Sequence, residues 1–357
     1  MSAPFPIPEF GPLYGRKYQV ILNLPGQQQI IADSDWDPSV LRVTFDIRMM
    51  ALQEQFWECD VAIYNADGWL IDAVLGAQGQ AATVQISAGY QNGNYAVIWD
   101  GPIFQAFLER ENVVDLKLTI VSMIRLLGLI DGEDAGFNLE AAATQIDILN
   151  QIASKLHAPF APAGLSSNVG SDSLPRGVTV FGNLSKVLSD LAEDNNMQWW
   201  LSSLGLNFGD PTEDFTDSSG VSVAPALIFS PPVVPSVGPS LPLPAGSTGS
   251  ILGTPQQTMY GVAFRVCLDP RVKVEKPLMS VKIDNSALRI LKLQIGQNPR
   301  LLDQDGVYVV VGLRHFGDTR GNDWYTEIDG WTRVGNTLAE LTLGVADGAI
   351  GQGQGHQ

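Results

Sequence analysis

His315, Asp318, Asp323 and Glu327 form the densest cluster of chemistry-bearing residues in the chain. A carboxylate pair can hydrolyse a glycosidic bond, and His beside Asp can hold a metal. The run Asp318-Thr319-Arg320-Gly321-Asn322 between them is turn chemistry instead. Asp and Asn side chains bond to nearby backbone there, and Gly permits the turn. His315 is then expected at a strand end, bonded to that loop, and the cluster reads as structural. Asp33, Asp35 and Asp37 resemble the start of a calcium loop, but Pro38 and Thr44 stand where a Gly and a closing Glu are required. A strand-entering turn fits them better. Gly76 and Gly79, in GAQGQ, have no Lys-Ser/Thr after them and read as a hairpin tip, not a phosphate loop. Cys59 and Cys267 lie in apolar, strand-like runs as buried thiols, and His157, His315 and His356 have no zinc spacing. No catalytic residue, cofactor or metal site is expected, and the chain is read as a non-enzyme.

The elements that would carry these residues are mostly strands. In Leu41–Arg48, Leu41, Val43, Phe45 and Ile47 alternate with Arg42, Thr44, Asp46 and Arg48, the period of a half-buried strand. Trp57, Cys59, Val61 and Ile63 repeat the pattern, as do Val114, Leu116, Leu118 and Ile120. Asp67-Gly68, Asn92-Gly93 and Asp100-Gly101 read as turns between strands. The middle changes period. Thr144, with Asp147 three residues on, caps a helix whose face holds Ile146, Leu149, Ala153 and Leu156. Asn183 caps a second helix carrying Leu184, Val187, Leu188 and Leu191, between a Gly177–Phe181 strand and a hairpin turning at Leu204-Gly205. Trp199 and Trp200 must point to opposite faces of that hairpin, one into the core and one as a possible interface residue. An internal echo links Tyr95–Ile120 with Tyr308–Ile328, each a Tyr-led strand, a Gly, a Phe, a polar loop and a second strand.

Composition narrows the classes. At 45% hydrophobic and 17% charged residues the chain is too apolar to be mostly disordered. It holds no apolar run of the roughly 18 residues that a spanning helix needs. The first residues show no secretion signal. A net charge of −17 opposes sequence-specific binding to a phosphate backbone. It suits solubility, or an acidic wall past which DNA slides.

The segment from Asp305 to Ile328 resembles a motif of phage tail baseplate hub proteins: a Gly-started strand, then His, a Gly-Asp pair, a small polar loop and a Trp-Tyr strand. Gly306, Val309, His315, Gly317, Asp318, Asn322, Trp324 and Tyr325 occupy those places. Val84–Tyr90 with Ile98–Ile103 is similar to the strand pair closing the family's first barrel, and residues 253–271 to the entry of the second. Gln145–Phe208 matches in order, so the likeness runs from Tyr14 to Val334; the Pro-rich insertion at 231–250 departs from the pattern.

The resemblance implies a mainly β fold: two tail-tube-like antiparallel β-barrels plus a mixed α/β middle domain. Its expected divisions are a first barrel (1–128), the middle domain (129–210), a Pro/Gly/Ser-rich extended loop (211–257), a second barrel (258–334) and a flexible tail (335–357). It also implies a homotrimeric ring of pseudo-sixfold symmetry, joining a hexameric tail tube or tube-initiator protein to a trimeric central spike. Other baseplate proteins and the tape measure are further expected partners. DNA would pass through the ring unbound, with no membrane span. The implied location is the virion's tail baseplate, assembled in the host cytoplasm. The alternatives from other classes are a tail-associated cell-wall hydrolase and a receptor-binding module.

Overall fold

The computed structural model describes residues 15–35, 41–51, 57–77, 81–91, 93–124, 134–156, 160–166, 169–170, 173–202, 204–210, 227–230, 249–258, 261–275, 278–283 and 306–332. Asp37, Gly79, Asn92, His157, His356, the 335–357 tail and most of the Pro-rich segment lie outside them.

The first part of the chain folds as β1 (Arg16–Leu24), β2 (Gln27–Asp33), β3 (Val43–Met50), β4 (Trp57–Tyr64), helix α1 (Gly68–Gly76), β5 (Thr83–Tyr90), β6 (Tyr95–Arg110) and β7 (Leu116–Ile124). The last part supplies β13 (Leu227–Ser230), β14 (Gly249–Gln257), β15 (Gly261–Cys267), β16 (Ser280–Ile283), β17 (Val307–Asp318) and β18 (Trp324–Thr332). All thirteen strands join one sheet, ordered β16-β13-β14-β15-β18-β17-β3-β4-β7-β6-β5-β1-β2. A further β16–β17 pairing closes the last six strands into a barrel. The alternation read in β3 and β4 is real: Val43, Phe45, Ile47, Trp57, Cys59, Val61 and Ile63 are all buried in the main core. Among the described residues no helix is long and apolar enough to cross a membrane.

Several expectations need correction. Asp67-Gly68 is no turn between strands; Asp67 caps α1, its carboxylate accepting from the Leu70 N–H at 2.8 Å. Gly76 accordingly ends that helix and is not a hairpin tip. Asp100-Gly101 lies inside β6, next to the point at Pro102 and Ile103 where this long strand changes partner from β5 to β7. Trp99 needs the space there, since a Cβ on Gly101 would stand 2.9 Å from its ring. Val113 and Val114 sit on the exposed tip before β7 rather than in its core face. The 211–257 segment, read as an extended loop, contributes β13 and β14 to the second barrel. Composition hid them because Pro255 falls where the β14–β15 register slips, the place a strand tolerates proline. The second barrel is also not purely antiparallel, as β13 runs parallel to both β14 and β16. Among the described residues no ladder closes the first set of strands, whose outer member β2 pairs with β1 alone.

The sheet repeats itself. β3-β4-β7-β6 and β14-β15-β18-β17 have the same order with every neighbour antiparallel. β5 flanks β6 as far as Pro102, and β16 flanks β17 as far as Val309. Just beyond, the Ile103 N–H donates to the Ala82 carbonyl and the Val310 N–H to the Met279 carbonyl, both at 2.8 Å. The ladders to the next strand slip between Ile103 and Gln105 in one copy and between Val310 and Gly312 in the other. This register puts Ile120 over Ile328, as the internal echo does, but sets Tyr308 against Gly101 instead of Tyr95.

Between the copies lies a mixed unit of β8 (Asp134–Leu139), α2 (Gln145–Lys155), β9 (Phe160–Leu165), β10 (Val178–Asn183), α3 (Leu184–Asp194), β11 (Gln198–Ser202) and β12 (Gly205–Gly209). Thr144 and Asp147 close a reciprocal capping box on α2, and Asn183 caps α3. Leu149, Ile152, Leu184, Leu188, Trp199 and Phe208 form a core separate from that of the sheet. Trp199 and Trp200 do face opposite ways, but neither is offered at the surface. Trp199 fills the middle core, its indole N–H 3.0 Å from Ser189 Oγ, while Trp200 is fully buried in the main one.

Candidate functional site at the seam between the two sheet copies

The two copies meet where β3 pairs with β17, Thr44–Met50 running antiparallel to Gly312–Asp318. Alternation sends Leu313, His315 and Gly317 into the core and Arg314 and Phe316 to the other face. On that second face charges of alternating sign cross five strands. Arg48 bridges Glu58 at 2.8 Å and Asp46 at 2.7 Å. The Arg314 guanidinium donates to both Asp46 oxygens at 2.7 and 2.8 Å and reaches Glu327 at 3.2 Å. Arg265 closes the row on Glu327 and lies over the rings of Phe316 and Tyr325, 5.2 and 5.5 Å from their centroids. Arg48 and Arg314 stand directly opposite each other in register, so Asp46 between them neutralises a like-charge pair. Burial would push the Asp46 carboxyl up, but bonds from Arg314 and Arg48 outweigh it and hold it below the ordinary carboxylate range.

At one end of the seam the Asp318–Asp323 loop is clamped by two arginines from the first copy's side. Arg42 grips Asp318, Nη2 at 2.7 Å and Nε 3.2 Å from both oxygens. Arg16 donates to the carbonyls of Asp318, Gly321 and Asn322 at 3.1, 2.6 and 2.9 Å and lies 5.4 Å over the Trp324 ring. Burial opposes the Asp318 charge, but Arg42 and the backbone N–H groups of Arg320 and Gly321 hold its carboxyl below the usual range. Trp324 packs edge-on against Phe45, centroids 5.5 Å apart, and against Tyr18 at 6.1 Å. Gly317 leaves room for that pair. Gly306, at φ +71°, takes the left-handed conformation that glycine favours just before β17. Tyr325 lies on the charged face against Phe316.

His315 differs from its expected place. It is not at a strand end or bonded to the loop: it lies within β17, 1% exposed, with Nδ1 2.8 Å from Thr326 Oγ1 across the β18 ladder. Burial pushes its pKa down to about 4, so it is neutral. It borders a cavity of about 200 Å³ whose walls include Met49, Trp57, Trp99 and Val272. Asp318 and Glu327 belong to the opposite face, so the sheet separates His315 from the carboxylates beside it in sequence. Among the described residues no group of three or more His, Cys, Asp or Glu could hold a metal ion. Sequence reasoning missed Arg16, Arg42, Asp46, Arg48, Arg265 and Arg314. The one available signal was opposite charges two residues apart, at Asp46 and Arg48, on a polar strand face.

Comparison with solved structures places this arrangement. The tail protein from Neisseria meningitidis MC58 superposes with a TM-score of 0.55 at 13% identity, covering 92% of this chain and 99% of that one. The chain has the fold of that tail protein. The 43 kDa tail protein of prophage MuSo2 from Shewanella oneidensis overlaps 88% of this chain and 98% of its own at a TM-score of 0.49 and 10% identity. A component of the type VI secretion system from E. coli overlaps 87% of this chain and 76% of its own, at a TM-score of 0.44 and 11% identity. No protein-family model and no curated protein sequence matches. In the tail-protein fold as this chain builds it, the charged face runs unbroken from β4 to β15 across the seam.

Proposed function

We propose that the protein is the structural hub of a phage tail baseplate. It forms a homotrimeric ring of pseudo-sixfold symmetry between a hexameric tail tube, or tube initiator, and a trimeric spike. The observation that carries this reading is the paired repeat: one chain holds two copies of a four-strand unit, joined edge to edge through β3 and β17. Three such chains present six equivalent units to a hexameric partner while keeping threefold symmetry for a trimeric one. The fold likeness to a tail protein over 92% of the chain supports it. The charged face that crosses the seam is the face we assign to the channel, and the chain's net charge of −17 would keep passing DNA from sticking. We place the protein in the virion's tail baseplate, assembled in the host cytoplasm, with other baseplate proteins and the tape measure as neighbours. Its work would be done by surfaces and not by a reactive group.

Light scattering on the purified protein tests the reading. A mass near three times 38.5 kDa for the protein alone, or that mass plus the spike's on adding the spike protein, is expected. A persistent monomer with tube and spike proteins both present would contradict it.

A further inference from the structure

We propose that the cavity on the core side of the seam is a binding site for a small, uncharged aromatic molecule carrying one carbonyl oxygen. The cavity measures about 200 Å³ and takes its walls from both halves of the chain. Met49, Trp57, Ile98 and Trp99 come from the first sheet copy, Val272 and Val274 from the run that follows β15. All six are buried. An apolar cavity of roughly 150 Å³ takes benzene, so this one has room for a ring with one small substituent. Both indole N–H groups are already committed. Trp57 Nε1 donates to the Met50 carbonyl at 3.2 Å and Trp99 Nε1 to Ser122 Oγ at 2.9 Å, so neither is left for a ligand.

His315 supplies the polar exception. It borders the cavity, it is buried, and one of its two ring nitrogens is held. Thr326 Oγ1 accepts the Asp269 N–H at 2.9 Å and lies 2.8 Å from His315 Nδ1. Among the described residues Nδ1 is the one acceptor for that hydroxyl's own proton. Nδ1 therefore accepts, and the neutral ring carries its hydrogen on Nε2. Nε2 lies at the end of the ring away from the β17 backbone and has no hydrogen-bond partner among the described residues. A buried N–H without an acceptor is costly, and a carbonyl oxygen entering the cavity would relieve it without bringing a proton that needs a partner in turn. Val97, Asp100 and Lys273, all exposed, line the cavity on its solvent side. A carboxylate and an ammonium together favour neither sign of ligand charge. Apolar walls around one placed polar group are the usual form of a small-molecule site.

Acetophenone is the probe, and α-methylstyrene, of the same shape with CH₂ in place of the oxygen, is its control. Saturation-transfer NMR on the purified full chain is expected to show saturable acetophenone binding. The control should bind about tenfold more weakly, for want of one hydrogen bond. His315→Phe keeps a ring without a donor and is expected to bring the two affinities together. Val272→Phe fills the cavity and should abolish binding of both, with circular dichroism as the folding control for each variant. No saturable binding to wild type, or equal affinity for the two probes, overturns the proposal, and that comparison needs neither variant to fold. Binding that persists in folded Val272→Phe, or a tenfold preference that persists in folded His315→Phe, overturns it as well. None of these outcomes depends on the number of chains in the assembly, so the hub reading stands or falls separately.

Discussion

A Cβ on Gly317 would sit 2.5 Å from Phe45 Cζ and 2.7 Å from Trp324 Cε3, so Gly317→Ala must displace a ring from a packed pair. Overpacking of that kind costs about 1–3 kcal/mol, and a lower urea midpoint with unchanged slope is expected. His315 makes a pH-dependent contribution whose sign follows from its depressed pKa. The unfolded chain takes up this proton near pH 6.5 and the folded one only near 4. Its contribution is therefore complete above pH 6.5 and lost as pH falls toward 4. Asp60 and Asp329, both pushed up by burial, act in the opposite sense. Asp46 and Asp318, held low, add losses only at more acidic pH. Comparing melting temperatures of wild type and His315→Gln from pH 7 to 4 isolates the histidine: the variant should lose part of the acid-side decline. Identical slopes would contradict a neutral, buried His315.

Among the elements, α2 and the charged row offer independent tests. Thr144→Ala removes half of a capping box and should lower stability by about 1 kcal/mol in chemical denaturation. Asp46→Asn leaves Arg48 and Arg314 opposed without their anion, and about 1 kcal/mol of destabilisation, greater at low salt, is expected in the same assay. What could be read in advance follows a physical line. β3 and β4 were legible because one face of each is wet and the other dry, and Thr144 and Asn183 because a cap is chosen by local bonds. α1 was not, since Asp-Gly serves equally as a turn and as a cap followed by a first helical residue. The two extra barrel strands hid behind a Pro-rich composition. The charged row was invisible because Asp46 and Arg314 meet only once the distant β3 and β17 pair.

At the scale of the molecule, two fold copies in one chain supply the symmetry argument; the resemblance around His315–Tyr325 pointed to the mainly β fold, while the turn chemistry of Asp318–Asn322 misplaced His315 itself. Three chains would set six such copies around one axis, so the assembled ring should look nearly sixfold even though only threefold symmetry is strict. End-on averages of the purified assembly by electron microscopy test this most directly. Six similar lobes around an open channel, with differences repeating every second lobe, are expected. A closed particle with no channel, or a ring whose lobe number is not twice its number of chains, would contradict the account.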